Sequence, residues 1–359
     1  MDASHSLTHN GNNEGRGISE ESSMNMPRLA HFAAWIMLVL FTCNGVGAES
    51  AKIPPLPIGV SSLGAIECDG YAYIYGGHVG KTHAYSSREV IGTFHRFKLD
   101  GGTAWEPLPG GPILQGLNLA THQGKIYRVG GMRPRNAPGS PTDNVSVVDA
   151  ARFDPKSGRW EALPPMPAAR SSHEVVVVGD TLVVTAGWQM RGKGTKPYWH
   201  DTTLLMDLSA KEPDWRHVPQ PFLRRALTAA TIGTKVFVIG GMDDEGEILQ
   251  RVDIFDLATE KWTVGPPLPG QKIGFSPAAA TANGKLLVST SDGLVHRLSA
   301  DGQSWEKAGT TISKRIVHRI IPHGDSILLL GGTVVGLGPN FADVERAPVA
   351  KPQGSPAGR

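Results

Sequence analysis

Arg152-Phe153-Asp154-Pro155-Lys156-Ser157-Gly158-Arg159-Trp160-Glu161-Ala162-Leu163-Pro164-Pro165-Met166-Pro167-Ala168-Ala169-Arg170 decides how this chain is read. Trp160 lies seven residues after Phe153, and a proline-rich tail carries the chain onward. The spacing recurs, with Trp262 seven after Phe255 and Trp305 seven after Leu298. Tails like Pro164-Pro165-Met166-Pro167 recur as Pro266-Pro267-Leu268-Pro269 and, far upstream, as Ile53-Pro54-Pro55-Leu56-Pro57.

Five tryptophans, Trp105, Trp160, Trp215, Trp262 and Trp305, each follow a strand-like run that itself follows a small-residue pair. The pairs are Gly76-Gly77, Gly130-Gly131, Ala186-Gly187, Gly240-Gly241, a degraded site at Thr290, and Gly331-Gly332. Glycine ends a strand where positive φ or close backbone approach excludes a side chain. A period of roughly 40–55 residues with these anchors marks stacked four-stranded sheets. The fourth unit reads most cleanly: a first strand over 225–231, a tight turn, an apolar strand over 235–239, then Gly240-Gly241. A loop over 242–249, a third strand over 251–257 and a fourth beginning at Trp262 complete it. An indole at that recurring position can fill the wedge between adjacent twisted sheets, burying on the order of 150–250 Å².

The stretch 152–170, and Val252 through Trp262, resemble the kelch repeat almost residue for residue. The resemblance runs from about residue 51 to 348 and implies four-stranded antiparallel blades around a central channel. The fold expected is all-β, a six-bladed kelch-type β-propeller over 49–348. The sixth unit has no tryptophan and no proline tail. Ile53–Pro57 therefore reads as the missing piece, and the N-terminal segment is expected to supply the outer strand of the last blade and protect its edge.

Residues 1–48 differ in character. A polar leader precedes Met26-Pro27-Arg28, an apolar run from Leu29 to Phe41 and a small-residue exit at Val46-Gly47-Ala48. That is the pattern of a secretory signal peptide cut after Ala48, with Met26 as the expected true start. An uncleaved anchor over 29–48 is the alternative, since about 20 apolar residues span a bilayer. The expected destination is therefore periplasmic or extracellular, or membrane-anchored. Without residues 1–48 the chain carries 33 basic and 29 acidic residues, a net +4 that does not by itself argue for nucleic acid. One cysteine, Cys68, would remain, so neither an internal disulfide nor a cysteine-rich metal site is expected. Residues 349–359, rich in proline, glycine and lysine, are expected to be disordered.

In kelch propellers the loops joining strands two and three share a face with the blade-to-blade turns. Here those loops are unequal: 78–91, 132–144 and 188–201 are long, and those of units four and five are short. Long loops on rigid scaffolds are where function concentrates. Candidate ligand residues on that face are His78, Arg133, Trp188, Arg191 and Trp199. Arg170, Arg224 and Arg315 align at one position in three units, with Arg225 beside them, and His173 and His318 share another. A guanidinium ring at a channel mouth would grip carboxylate or phosphate, and the tryptophans would suit a sugar face. The arginines equally suit pairing with acids in neighbouring turns, and the histidines read as inner-strand residues rather than metal ligands.

Two functions survive. One is a binding module for an acidic glycan or acidic peptide, without cofactor. The chain shows no G-x-S-x-G, H-E-x-x-H or phosphate loop. The other is an isomerase, because exported six-bladed kelch propellers resemble the sialic-acid mutarotases (N-acetylneuraminate epimerases). There an arginine holds the sugar carboxylate and a glutamate handles the proton. That family carries the glutamate in a helical insertion for which this chain shows no counterpart, so no catalytic residue is assigned.

Overall fold

The computed structural model describes residues 53–351 apart from Leu337. The leader and signal peptide expected over 1–48, and the tail beyond 351, lie outside the described residues. Six antiparallel sheets follow one another in chain order. Blade two illustrates the pattern, with Leu119–His122, Lys125–Val129, Ala150–Asp154 and Arg159–Leu163 meandering outward from the channel. The seven-residue spacing is a cross-strand pairing: Phe153 faces Trp160, Phe255 faces Trp262 and Leu298 faces Trp305. Apolar clusters sit between blades. Tyr127, Val129 and Met166 of blade two, for example, pack with Val175, Leu182 and Trp215 of blade three.

A ring of backbone hydrogen bonds closes the propeller. Just before the first strand of each blade, one residue donates its N–H to the matching carbonyl of the preceding blade. Gly116 donates to Ser62, Ser172 to Gly116, Ala226 to Ser172, Ser276 to Ala226, Val317 to Ser276, and Ser62 to Val317, at 2.7–3.2 Å. All six have φ between 44° and 63°, the left-handed region. That conformation costs a non-glycine residue about 1–2 kcal/mol, against about 0.5–1.5 kcal/mol for each hydrogen bond formed. Six links closing on themselves fix the blade count. In blade four this residue, Ala226, also splits the run expected as one strand over 225–231. Arg224–Arg225 pairs outward with Met242–Asp243, and Thr228–Ile232 forms the inner strand.

The small-residue pairs have two different requirements. At the first position φ is 61–69°, which Ala186 tolerates. At the second, φ is 87–109°, and a Cβ would come within 2.4–3.2 Å of neighbouring atoms, so glycine stands there in five blades. Blade five escapes the requirement because Thr290–Gly293 forms a tight turn straight into the third strand, with Thr290 donating its N–H to the Leu294 carbonyl.

The tryptophans do more than fill space. Each indole N–H donates to a proline carbonyl in the tail of the preceding blade: Trp105 to Pro54, Trp160 to Pro109, Trp215 to Pro164, Trp262 to Pro219 and Trp305 to Pro266, at 2.8–3.1 Å. Pro54 stands in this series as an equal, which places the N-terminal segment on blade six. Leu56 donates its N–H to Ala342, as Met166 does to Val148 and Leu268 to Gln250. Ile53–Pro57 is therefore the tail that follows an outer strand rather than that strand itself. Among the described residues blade six has three strands, Arg319–His323, Ser326–Leu330 and Glu345–Pro348. At the other end, Val349 and Ala350 are held by Asp325 and Ala308, and Arg297 grips the Ala350 carbonyl, so order extends past the expected limit at 348. No helix among the described residues is long and apolar enough to cross a membrane.

Candidate functional site

The closing ring opens on the loop face, and above it lies a cavity of about 400 Å³. Its rim is built by loops that bond to one another. Asn340 of blade six donates to the His78 and Gly80 carbonyls of blade one. Asn136 of blade two donates to the Tyr85 carbonyl, and its own carbonyl accepts from Ser87. Met190 of blade three bonds to Ser146 of blade two through both backbone and hydroxyl. The wall expected from loops one to three is thus present, and Asn340 extends it to blade six. Blade five contributes only its tight turn, leaving that side low.

The arginine trio does not form a ring at the channel mouth. Arg170, Arg224 and Arg315 are buried at 1–2% exposure, and each guanidinium runs between strands of its own blade. Arg170 donates to the Ala186 and Thr202 carbonyls, Arg224 to Gly240 and Arg251, and Arg315 to Gly331 and Asp343. Arg224 also pairs with buried Asp253, and Arg315 with Glu345. Arginine recurs there because a rigid fork can bridge two carbonyls that the strand ends leave open. Burial pulls Arg170 down to about 9 and Arg224 to about 10.

Arg225 is the exception. It lines the cavity, half-buried, and lies flat on Trp188, 4.1 Å from the ring centroid. Its hydrogen-bond partner among the described residues is the Met242 sulfur, a weak acceptor, at 3.2 Å. Trp188 faces Trp199 across a short hairpin, with ring centroids 5.4 Å apart. The Trp188 indole N–H, Arg225 Nε, Gln115 Nε2 and Asn144 Oδ1 are buried without a protein partner, and all four residues line the cavity. Tyr85 joins them from the blade-one loop. Its hydroxyl is pushed up by burial and pulled back by the Arg225 charge.

The other predicted residues stand apart or serve structure. His78 is buried and bonds to the Ala84 carbonyl, bracing its own loop. Arg133 is exposed on the blade-two hairpin, and Arg191, also exposed, lies over Tyr198; neither lines the cavity. His173 and His318 border the cavity floor, but their side chains pack into the blade junctions, against Gly187 and Gly332. Leu63, Leu117 and Leu227 occupy the same place in blades one, two and four. Burial depresses both histidines to about 3, so they are neutral.

One residue further along each first strand lies the part of the site that sequence reasoning missed. Glu174 of blade three reaches across the channel to Arg319 of blade six, Nη1 to Oε1 at 2.5 Å, and its other oxygen accepts from Asn118 at 2.8 Å. Arg319 also donates to the Leu63 and Leu117 carbonyls, so four blades are tied at one level. This septum floors the cavity, and a second space of about 360 Å³ lies beyond it. Glu174 is the single carboxylate lining the upper cavity. Burial raises its carboxyl against the opposing pull of Arg319 and Asn118. The signal was available, since the residues following the paired histidines are an acid and a base.

Fold and site together define a six-bladed β-propeller with a cavity on its loop face. Kelch motifs are present in it: the family description "Kelch motif" matches residues 116–167 and 223–269. Mouse Kelch-like protein 35 is 24% identical over 243 residues, covering 67% of this chain and 35% of that protein. Kelch-like protein terF of Aspergillus terreus is 22% identical over 273 residues, covering 69% of this chain and 58% of that one. The chain thus spans about a third and somewhat over half of these two relatives. Among solved structures, that of YjhT superposes with a TM-score of 0.66 at 16% identity, covering 84% of this chain and all of the other. That likeness is one of fold.

Proposed function

We propose that this propeller is a binding module for an acidic glycan or acidic peptide, taken up in the loop-face cavity by Arg225. The observation that carries the reading is a half-buried guanidinium laid on an indole, aimed into a cavity and offered only a thioether. A cation held away from water without a carboxylate has its strongest available partner in a ligand anion. The signal-like residues 29–48 support an exported protein, which would meet such ligands outside the cytoplasm. A thermal-shift panel of acidic sugars and acidic peptides at low and high salt tests the proposal. Arg225→Gln should weaken binding about tenfold or more, since charge-assisted hydrogen bonds contribute about 1.5–3 kcal/mol. Equal affinity in the variant would remove the proposal.

A second reading rests on Glu174, a carboxyl with a raised proton affinity on the cavity floor. One acid–base group there could exchange the anomers of an acidic sugar, a mutarotase activity. NMR of freshly dissolved sialic or hexuronic acids reads the rate directly. Unchanged anomer exchange at micromolar protein excludes this enzyme.

A further inference from the structure

We infer that the cavity receives the terminal unit of an acidic glycan chain and not an internal one, an inference that rests on the Arg225 reading. The Glu174–Arg319–Asn118 septum closes the floor, so no chain can thread the channel. The bonded loops of blades six, one, two and three close the wall on that side. Blade five, with its tight turn, leaves the rim low in one sector. An internal unit needs two ways out, and this cavity provides one.

The low sector has the charge that suits a polyanion leaving through it. Lys272 and Lys314 are exposed on the blade-to-blade turns flanking blade five, the Lys314 stem lies against Gly293 of the tight turn, and the one acid of that turn, half-buried Asp292, accepts from the Thr290 hydroxyl and the Leu294 N–H. The neighbouring turn of blade four carries Asp244 and Glu245, both exposed, and would repel the same chain. Glycan is favoured over peptide by the accessible hydroxyls of Ser62, Tyr85 and Ser172, which line the cavity and match sugar hydroxyls that both donate and accept.

Calorimetry with galacturonate, its linear trimer and polygalacturonate separates the outcomes. One protein per chain at every length is expected, with no gain in sites as the polymer grows. Lys314→Glu should weaken the trimer about threefold, the scale of a rim charge, and leave the single sugar unchanged. Stoichiometry that rises with chain length overturns the terminal mode while leaving the Arg225 reading intact. Tighter capture of poly-glutamate than of any glycuronide overturns the assignment to glycan. Equal binding of all three sugars by Arg225→Gln, or no binding at all, removes both readings together.

Discussion

Two adjacent arginines in blade four show how little residue type alone reveals. Arg224 is buried against Asp253 and two carbonyls, whereas Arg225 faces the cavity with a sulfur for company. Arg224→Met should cost about 3 kcal/mol in urea unfolding, because Asp253 loses a buried partner and keeps only Arg251. Arg225→Gln should unfold within about 1 kcal/mol of the parent, losing chiefly its contact with Trp188, while losing the ligand. A matched pair of effects in the two variants would contradict the division of roles. The histidines make a separate prediction. With folded pKa values of about 3 against an ordinary 6.5, His173 and His318 stay neutral while the unfolded chain takes up protons. Stability is therefore complete above about pH 6.5 and falls towards pH 3, by up to about 1.4 kcal/mol per pH unit per histidine. The double variant His173→Leu/His318→Leu, copying Leu63 and Leu117, should show a flatter acid limb with little change at pH 8. Parallel pH profiles for parent and variant would refute this.

At the scale of the strand, the repeated indole holds each blade to its predecessor by packing and by one hydrogen bond. The two contributions are separable. Trp262→Phe keeps much of the packing on Phe255 and Phe222 and frees the exposed Pro219 carbonyl to water, so about 1 kcal/mol is expected. Trp215→Phe leaves the Pro164 carbonyl at a junction where the indole is only 8% exposed, and should cost about 2 kcal/mol. Urea midpoints that reverse this order would show that the bond is not what distinguishes the sites. These elements were legible because their causes are local: a tryptophan seven residues past a large apolar residue, and a glycine where φ is positive. The site was only partly legible. Trp188 and Arg225 stand on a long loop and an inter-blade turn, where function was expected. Arg170, Arg224 and Arg315 misled, because a periodic arginine fits an anion-binding ring and an internal carbonyl brace equally well. Glu174 and Arg319 are 145 positions apart in sequence, and only closure of the ring makes them partners.

On the scale of the whole ring, blade six differs from the others in taking its tail, Ile53–Pro57, from the opposite end of the sequence. That tail runs on covalently into blade one and joins the three strands of blade six by non-covalent contacts alone. Leu56 bonds to Ala342 and Val60 to Phe341, Gly332 bonds back to Val60, and Ser62 bonds to Val317. Side-chain burial there is as complete as elsewhere, with Ile53, Leu56 and Val60 each under 9% exposed. The seam therefore matches the tails of the other blades in contacts and differs only in lacking a covalent link to the strands before it. Opening it frees a segment without dragging a blade apart, so its opening free energy should be the lowest of the six. Native-state hydrogen exchange reads this directly. The Leu56 and Gly332 amides should exchange through an opening smaller than global unfolding, whereas Met166 and Leu268, which make the corresponding bonds inside the chain, should follow more cooperative openings. Leu56→Ala should lower the seam opening by about 3 kcal/mol and leave amides of blades three and four unchanged below the global limit. Exchange rising uniformly around the ring would mean that the propeller opens as one unit, with no preferred junction.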